Sequence, residues 1–269
     1  MNSAIDRRAF LLGASVLLCC APARAQPSPK VGVLMLHGKS PGHAQDPHFG
    51  ALKSPLQREG WEVLLPDMPW SRTRYLDGHW DQAMSEIAGH VKALQDGGAQ
   101  KIVLVGHSMG VPAALSHAAR GGVVDALVLL ATGHVPRGYY GNPNASAVRQ
   151  SVDEARVRLA AGRGDETERY MDINQGRQQA VVTTAKNYLS YFDPQSDADM
   201  GVTAPRVPAG VPVLTVIGEK DPLFARVRGY FVDRLPANPR SKHLEVAGGH
   251  LDTPRLASQQ IVEWIKASL

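Results

Sequence analysis

The sequence predicts an α/β fold: a mostly parallel sheet of about six strands with helices on both faces. Three observations point there. Short apolar runs alternate with helix-length segments from residue 31 to the C-terminus. The runs are near-continuously hydrophobic, as strands covered on both sides must be. Several end at Gly or Pro, the residues that punctuate strand-to-helix turns.

The elements follow in order. Strands are predicted at 31–36, 62–65, 101–105, 126–130, 213–217 and 242–246, each short and rich in β-branched residues or leucine. Helices are predicted at 49–59, 80–95, 109–119 and 226–235, where apolar residues recur at helical spacing. A last helix is predicted at 253–269, with Leu256, Ile261, Ile265 and Leu269 available to one face. The segment 134–212 breaks this rhythm. It has no convincing strand and reads as a short helical cap inserted between two strands, with helical stretches near 145–161 and 166–189. Its Tyr139, Tyr140, Tyr170, Tyr188, Tyr191 and Phe192 either line a pocket or pack the cap onto the body; for any one of them packing is the default. Cap and sheet together read as one domain.

The first 25 residues read as an export signal. Arg7 and Arg8 open it, an apolar stretch runs from Ala9 to Ala21, and Ala23-Arg24-Ala25 supplies a cleavage site. The paired arginines before Ala9-Phe10-Leu11 resemble a twin-arginine signal; an ordinary export signal is the alternative. The apolar stretch is shorter than the roughly 20 residues that span a bilayer, which argues against a retained anchor. A lipid anchor at Cys19 or Cys20 would need a small residue where Leu18 or Cys19 stands. Cleavage leaves 26–269, or 244 of 269 residues, in the periplasm or outside the cell, with no stable membrane insertion. The formal charge falls from +4 to +2 as Arg7, Arg8, Arg24 and Asp6 leave, so no nucleic-acid partner follows from it. Both cysteines leave too, which excludes a disulfide, a thiol nucleophile and a cysteine metal ligand in the mature chain. At 43% hydrophobic and 20% charged residues, the chain can build a sizeable core without them.

In a parallel α/β sheet, ligands sit beyond the carboxyl ends of the strands. After 101–105 comes Gly106-His107-Ser108-Met109-Gly110, a G-x-S-x-G between a strand and a small-residue helix. Such a turn pushes a serine outward at a helix N-terminus, where free N–H groups and the dipole favour developing negative charge. Five residues with two wild cards recur by chance, so the strand–helix setting gives the motif its weight. A serine hydroxyl needs a base, and the base needs an orienting carboxylate. Asp221 follows the strand at 213–217 in "GEKDPLF", and His250 follows that at 242–246 in "AGGHLDTP". Both fall on the edge that holds Ser108.

In this order, "VLMLHGKS", "GHSMG", "VIGEKDP" and "GGHLDTP" resemble the α/β-hydrolase superfamily of serine esterases and lipases, over nearly all of 31–269. The resemblance implies Ser108 as nucleophile, His250 as general base and Asp221 as its orienter. It implies oxyanion donors at the backbone N–H of Met109, directly after the nucleophile, and of Lys39, in a His37-Gly38-Lys39 similar to the family's His-Gly-x. The implied reaction is hydrolysis of a carboxylic ester or related acyl bond in a small-molecule substrate, through an acyl-serine and with no cofactor. Alternatives are a thioesterase or acyltransferase on the same three residues, or a non-catalytic binding protein that kept the fold. Geometry discriminates the last: in an enzyme the His250 ring comes within hydrogen-bond reach of both Asp221 and Ser108. The chain departs from the family pattern at its start, because Val31 stands only six positions into the mature chain. The two leading antiparallel strands are therefore expected to be missing, leaving a sheet edge at 62–65.

Other polar residues have alternative readings. His37 and His107 fit structural roles, holding the oxyanion loop and packing by the elbow. His134 either faces the pocket or bonds at the cap base. Asp252 competes with Asp221 from two residues beyond His250. The strand ending at Leu130 leads into Ala131-Thr132-Gly133, which leaves the family's occasional alternative acid position empty. His43, Asp46 and His48 match no standard metal spacing. Asn144-Ala145-Ser146 fits a glycosylation sequon, discounted beside a bacterial-type signal. The Lys39 side chain either clamps an anionic substrate or, by default, stands as a solvated charge.

Overall fold

The computed structural model describes residues 29–39 and 41–269. Strand β1 (Val31–Leu36) leads through α1 (Pro47–Gly50) and α2 (Lys53–Arg58) to β2 (Glu62–Leu64). Helix α3 (Trp80–Asp96) precedes β3 (Lys101–Ser108), and α4 (Gly110–Ala119) precedes β4 (Ala126–Thr132). Then come α5 (Pro136–Gly141), α6 (Ser146–Ala160), β5 (Thr167–Asn174), β6 (Arg177–Thr184), α7 (Ala185–Phe192) and α8 (Met200–Thr203). The chain ends with β7 (Val213–Gly218), α9 (Val227–Tyr230), β8 (Lys242–Val246), α10 (Thr253–Leu256) and α11 (Ser258–Ser268).

Six strands form one sheet in the order β2-β1-β3-β4-β7-β8, with every pair parallel. Successive side chains on a strand point to opposite faces, and here both faces are apolar. Leu34 and Leu36 of β1 join Ala83, Ile87 and Leu115 from α3 and α4. Val33 and Met35 join Phe49, Leu52, Leu56 and Ile265 on the other side. Burying each of the larger of these side chains contributes about 1.5–3 kcal/mol. The chain steps from β1 outward to β2, then returns to place β3 on the other side of β1. That reversal puts a crevice beyond the carboxyl ends of β1 and β3, where open α/β sheets hold their ligands.

The six-stranded parallel sheet agrees with the sequence expectation, and β2 is one of its edges. The helix expected at 49–59 divides in two, and Pro55 falls in the first turn of α2, where its missing N–H leaves no helical bond unmade. The helix expected at 226–235 shrinks to α9 and a 3₁₀ turn at Val232–Arg234. The larger correction concerns 166–189. Only 185–189 is helical, as the start of α7; before it β5 and β6 pair antiparallel from Thr167↔Thr184 to Asn174↔Arg177. Gln175 and Gly176 close the hairpin, with φ of 50° and 75°, as two-residue turns of this kind require. Tyr170, Asp172, Val181 and Thr183 turn inward at period two. The Glu, Arg and Gln content favours a helix locally, and packing against α6 and α7 overrides it. The segment 134–212 is thus a mixture of helices and a hairpin rather than helical.

Its aromatic residues mostly pack. Tyr188 stacks on both Tyr170 and Phe192, each pair with ring centroids 4.5 Å apart. Tyr191 meets Trp80 edge-on at 5.1 Å. No helix among the described residues is long and apolar enough to cross a membrane. The expected export signal and its cleavage site lie outside the described residues.

Candidate active site

The end of β3 is built so that three backbones can meet. Ser108 adopts φ 54°, a left-handed conformation that non-glycine residues rarely take. The β3–β4 register shifts between His107 and Ser108. A Cβ at Gly106 would stand 2.3 Å from the Gly110 carbonyl oxygen, and one at Gly110 would stand 1.9 Å from the Leu36 oxygen. Only glycine permits either approach. Ser108 is half-buried, and its Oγ lies against Gly133, where an added Cβ would stand 2.5 Å from it.

The ends of β7 and β8 are drawn together in the same way. A Cβ at Gly218 would lie 2.4 Å from the Gly248 oxygen. This approach brings Asp221 and His250 side by side, with His250 Nδ1 2.7 Å from Asp221 Oδ2. The other carboxylate oxygen accepts from Leu223 N at 2.8 Å, and Asp221 is buried. A carboxylate can only accept, so Nδ1 carries a proton, and in the neutral form of the ring Nε2 is the acceptor. Asp252 accepts from Gly249 N at 3.1 Å within its own loop, and no bond joins it to His250 among the described residues. His250 thus meets Asp221, but among the described residues no hydrogen bond joins Nε2 to Ser108 Oγ. Catalytic hydrogen bonds are often long in an unliganded site and tighten only around substrate.

Two histidines outside this pair hold its surroundings. His107 Nε2 donates to the His250 carbonyl at 3.1 Å, and its ring stacks on Phe49 at 5.4 Å. Burial, with His250 beside it, pushes His107 down to about 4, so the ring is neutral. His37 Nε2 accepts from Met68 N at 3.0 Å, and its Nδ1 donates to the Gly38 oxygen at 2.7 Å. Burial keeps His37 below its ordinary value as well. A trans peptide is planar, so the Lys39 N–H points away from the carbonyl that His37 holds. Gly38 packs on Ser108, where an added Cβ would lie 3.1 Å from the serine Cβ. Met109 is buried at the N-terminus of α4.

His134 donates from Nε2 to the Tyr191 carbonyl at 2.8 Å, which ties the β4 end to α7. The Lys39 side chain is a correction. It is only 8% exposed, neither solvated nor open to an anion. Nζ instead donates to Asp172 Oδ1 at 2.7 Å and to the Ile173 carbonyl at 3.0 Å, both on β5. Asp46 caps α1 through His48 N and Phe49 N, and His43 bonds Gln45. Among the described residues no three His, Cys, Asp or Glu side chains gather as a metal site.

A parallel sheet, a tight strand–serine–helix turn and an Asp–His pair on one edge invite comparison with known proteins. The Alpha/beta hydrolase family matches residues 33–263, most of the chain. The chain belongs to that family. No curated protein sequence matches it. Solved structures that resemble it include the Butyrivibrio proteoclasticus protein Est1E with ferulic acid bound, at 17% identity and TM-score 0.62, covering 90% of each chain. A monoacylglycerol lipase from Paleococcus ferrophilus shares 20% identity at TM-score 0.61, over 88% of this chain and 95% of its own. One of two metagenome-derived lipolytic enzymes shares 16% identity at TM-score 0.62, over 89% and 94%. At such identities the likeness is one of fold.

Proposed function

We propose that the protein is a serine hydrolase cleaving a carboxylic ester or related acyl bond of a small molecule. Ser108 attacks the carbonyl carbon while His250 Nε2 takes its proton, and Asp221 holds Nδ1–H and stabilises the imidazolium. The N–H groups of Met109 and Lys39 receive the charge that develops on the carbonyl oxygen. His250 then protonates the leaving alcohol, which leaves an acyl-Ser108. Water, deprotonated by His250, attacks the acyl carbon, releases the acid and restores the serine. In the same reading residues 1–25 direct export and are removed, and the enzyme works in the periplasm or outside the cell.

The reading rests chiefly on the 2.7 Å Asp221–His250 pair beside a serine held at φ 54° on the same sheet edge. Esterases and lipases among the fold relatives agree with it. The test uses chain beginning at Gln26, a fluorophosphonate probe and a chain-length series of nitrophenyl esters. Ser108→Ala should lose labelling and drop kcat by about 10⁴-fold or more with its melting temperature kept. A folded Ser108→Ala with the parent's turnover would refute the assignment.

A further inference from the structure

Lys39 has two jobs in the fold, and they meet at one carboxylate. Its ammonium donates to Asp172 Oδ1 and to the Ile173 carbonyl, and lies 5.7 Å above the Phe192 ring. Asp172 is fully buried. Its other oxygen accepts from Tyr75 Oη, which also bonds Gln179 on β6. One carboxylate thereby joins the loop after β1, the loop after β2 and the β5–β6 hairpin. Burial alone would raise the Asp172 carboxyl, but the Lys39 ammonium and the Tyr75 hydroxyl hold it below the ordinary carboxylate range. The joint is therefore ionic.

The backbone of Lys39 belongs to the peptide that packs by Ser108. His37 fixes the carbonyl of that peptide, and the turn bond from Gly42 N to the Lys39 oxygen, at 3.0 Å, holds the next one. Neither reaches the hairpin; the side-chain bond to Asp172 does.

We infer that Asp172 is a positioning residue: through the Lys39 side chain it fixes the peptide whose N–H is one of the two proposed oxyanion donors. The tether stands on the geometry; its catalytic consequence rests on the serine-hydrolase reading. An oxyanion donor works only when held in place before charge develops. The hole is then complete only while the hairpin is seated, so lifting the hairpin draws Lys39 out of line. Losing a donor outright costs about 10²–10³-fold in kcat, so a loosened one should cost about 10–100-fold.

The double variant Lys39→Met/Asp172→Leu removes the pair and keeps the Lys39 N–H. Replacing both members of a buried pair with apolar side chains often preserves stability. In the folded double variant, amide exchange across residues 37–42 should accelerate about tenfold or more while β3 stays protected. For a nitrophenyl ester, kcat should fall about 10–100-fold with KM within about threefold. Asp172→Asn, read the same way, serves if the double variant does not fold. Unchanged exchange across 37–42 overturns the tether whatever the activity. Faster exchange with the parent's kcat overturns the positioning role. A parent chain that neither turns over esters nor labels at Ser108 overturns the serine-hydrolase reading and the catalytic role with it, while exchange still decides the tether.

Discussion

Asp221→Asn gives the sharpest test of how His250 is tuned, because both carboxylate oxygens are in use. Oδ1 accepts from Leu223 N at 2.8 Å and Oδ2 faces His250 Nδ1 at 2.7 Å. An amide has one acceptor and one donor, so one of these bonds must face an NH₂ group. If the NH₂ turns to Leu223, two donors meet at a fixed backbone position, which costs about 1–3 kcal/mol as a buried unmade bond. If it turns to His250, the ring escapes by moving its proton from Nδ1 to Nε2. The second choice is cheaper, and it ruins the base: a protonated Nε2 cannot accept from Ser108. The expected loss is about 10⁴-fold in kcat, equivalent to about 5.5 kcal/mol of transition-state stabilisation. Steady-state turnover of a short nitrophenyl ester measures it, and fluorophosphonate labelling should slow in parallel. Thermal unfolding checks that the variant is folded. Asp252→Asn is the control. It can still accept from Gly249 N and should keep kcat within about threefold, since the acid there touches only its own loop. A folded Asp221→Asn within about tenfold of the parent, or an Asp252→Asn that loses as much, would refute the tautomer argument.

Stability should fall on acidification. Burial, with His250 nearby, pushes His107 down to about 4, and burial with Lys39 nearby pushes His134 down to about 3. A histidine depressed in the fold stabilises it above the ordinary value near 6.5 and loses that contribution as pH falls toward the folded value. From pH 7.5 to 5 each residue should remove about 2 kcal/mol, so the pair should lower the melting temperature by about 10 °C. His134→Gln, which can still donate to the Tyr191 carbonyl, should flatten about half of that fall; a parent profile flat over this range would refute the neutral-histidine account. Gly110→Ala should abolish soluble folded protein or lower its melting temperature by about 10 °C or more, because the new Cβ meets the Leu36 backbone oxygen at 1.9 Å. Gly89→Ala, exposed inside α3 with nothing within 4 Å of the new Cβ, should instead stabilise by about 0.5–1 kcal/mol in the same thermal assay.

The sheet is legible in the sequence because burial on both faces makes each inner strand an unbroken apolar run. β1 is such a run from end to end, whereas the edge strand β8 begins at the exposed Lys242 and reaches a buried apolar residue only at Val246. β3 extends past Val105 into Gly106-His107-Ser108, since backbone pairing with β4 continues where apolar side chains stop. Asp221 and His250 are legible by their place after β7 and β8, as parallel strands send those loops to one edge. Asp252 competes in the sequence from two residues beyond His250; the place of Asp221 past β7 favours it, and the close Gly218–Gly248 approach is the contact that no local pattern shows. The His107 bond to the His250 carbonyl is hidden for a similar reason, since it spans 143 residues and leaves no local pattern.

The hairpin and the Lys39 partner are concealed by a single period. Read at helical spacing, Tyr170 and Asp172 fall on different faces, and Asp172 becomes an ordinary surface acid. Read at period two, Asp172 shares a face with the buried Tyr170 and must itself be buried. A buried carboxylate demands a cation or several donors, because desolvation without compensation is prohibitive. The Gln175-Gly176 pair in "DINQGRQQ" is the local clue to the hairpin, as glycine accepts the positive φ that a two-residue turn imposes. Once the strand is recognised, the search for a partner turns to the loops at the sheet's carboxyl edge. Lys39 stands there, on a loop whose apolar surroundings leave its ammonium equally in need of a counter-charge. The two residues lie 133 positions apart, so no spacing rule joins them. The requirement that each buried charge be met does.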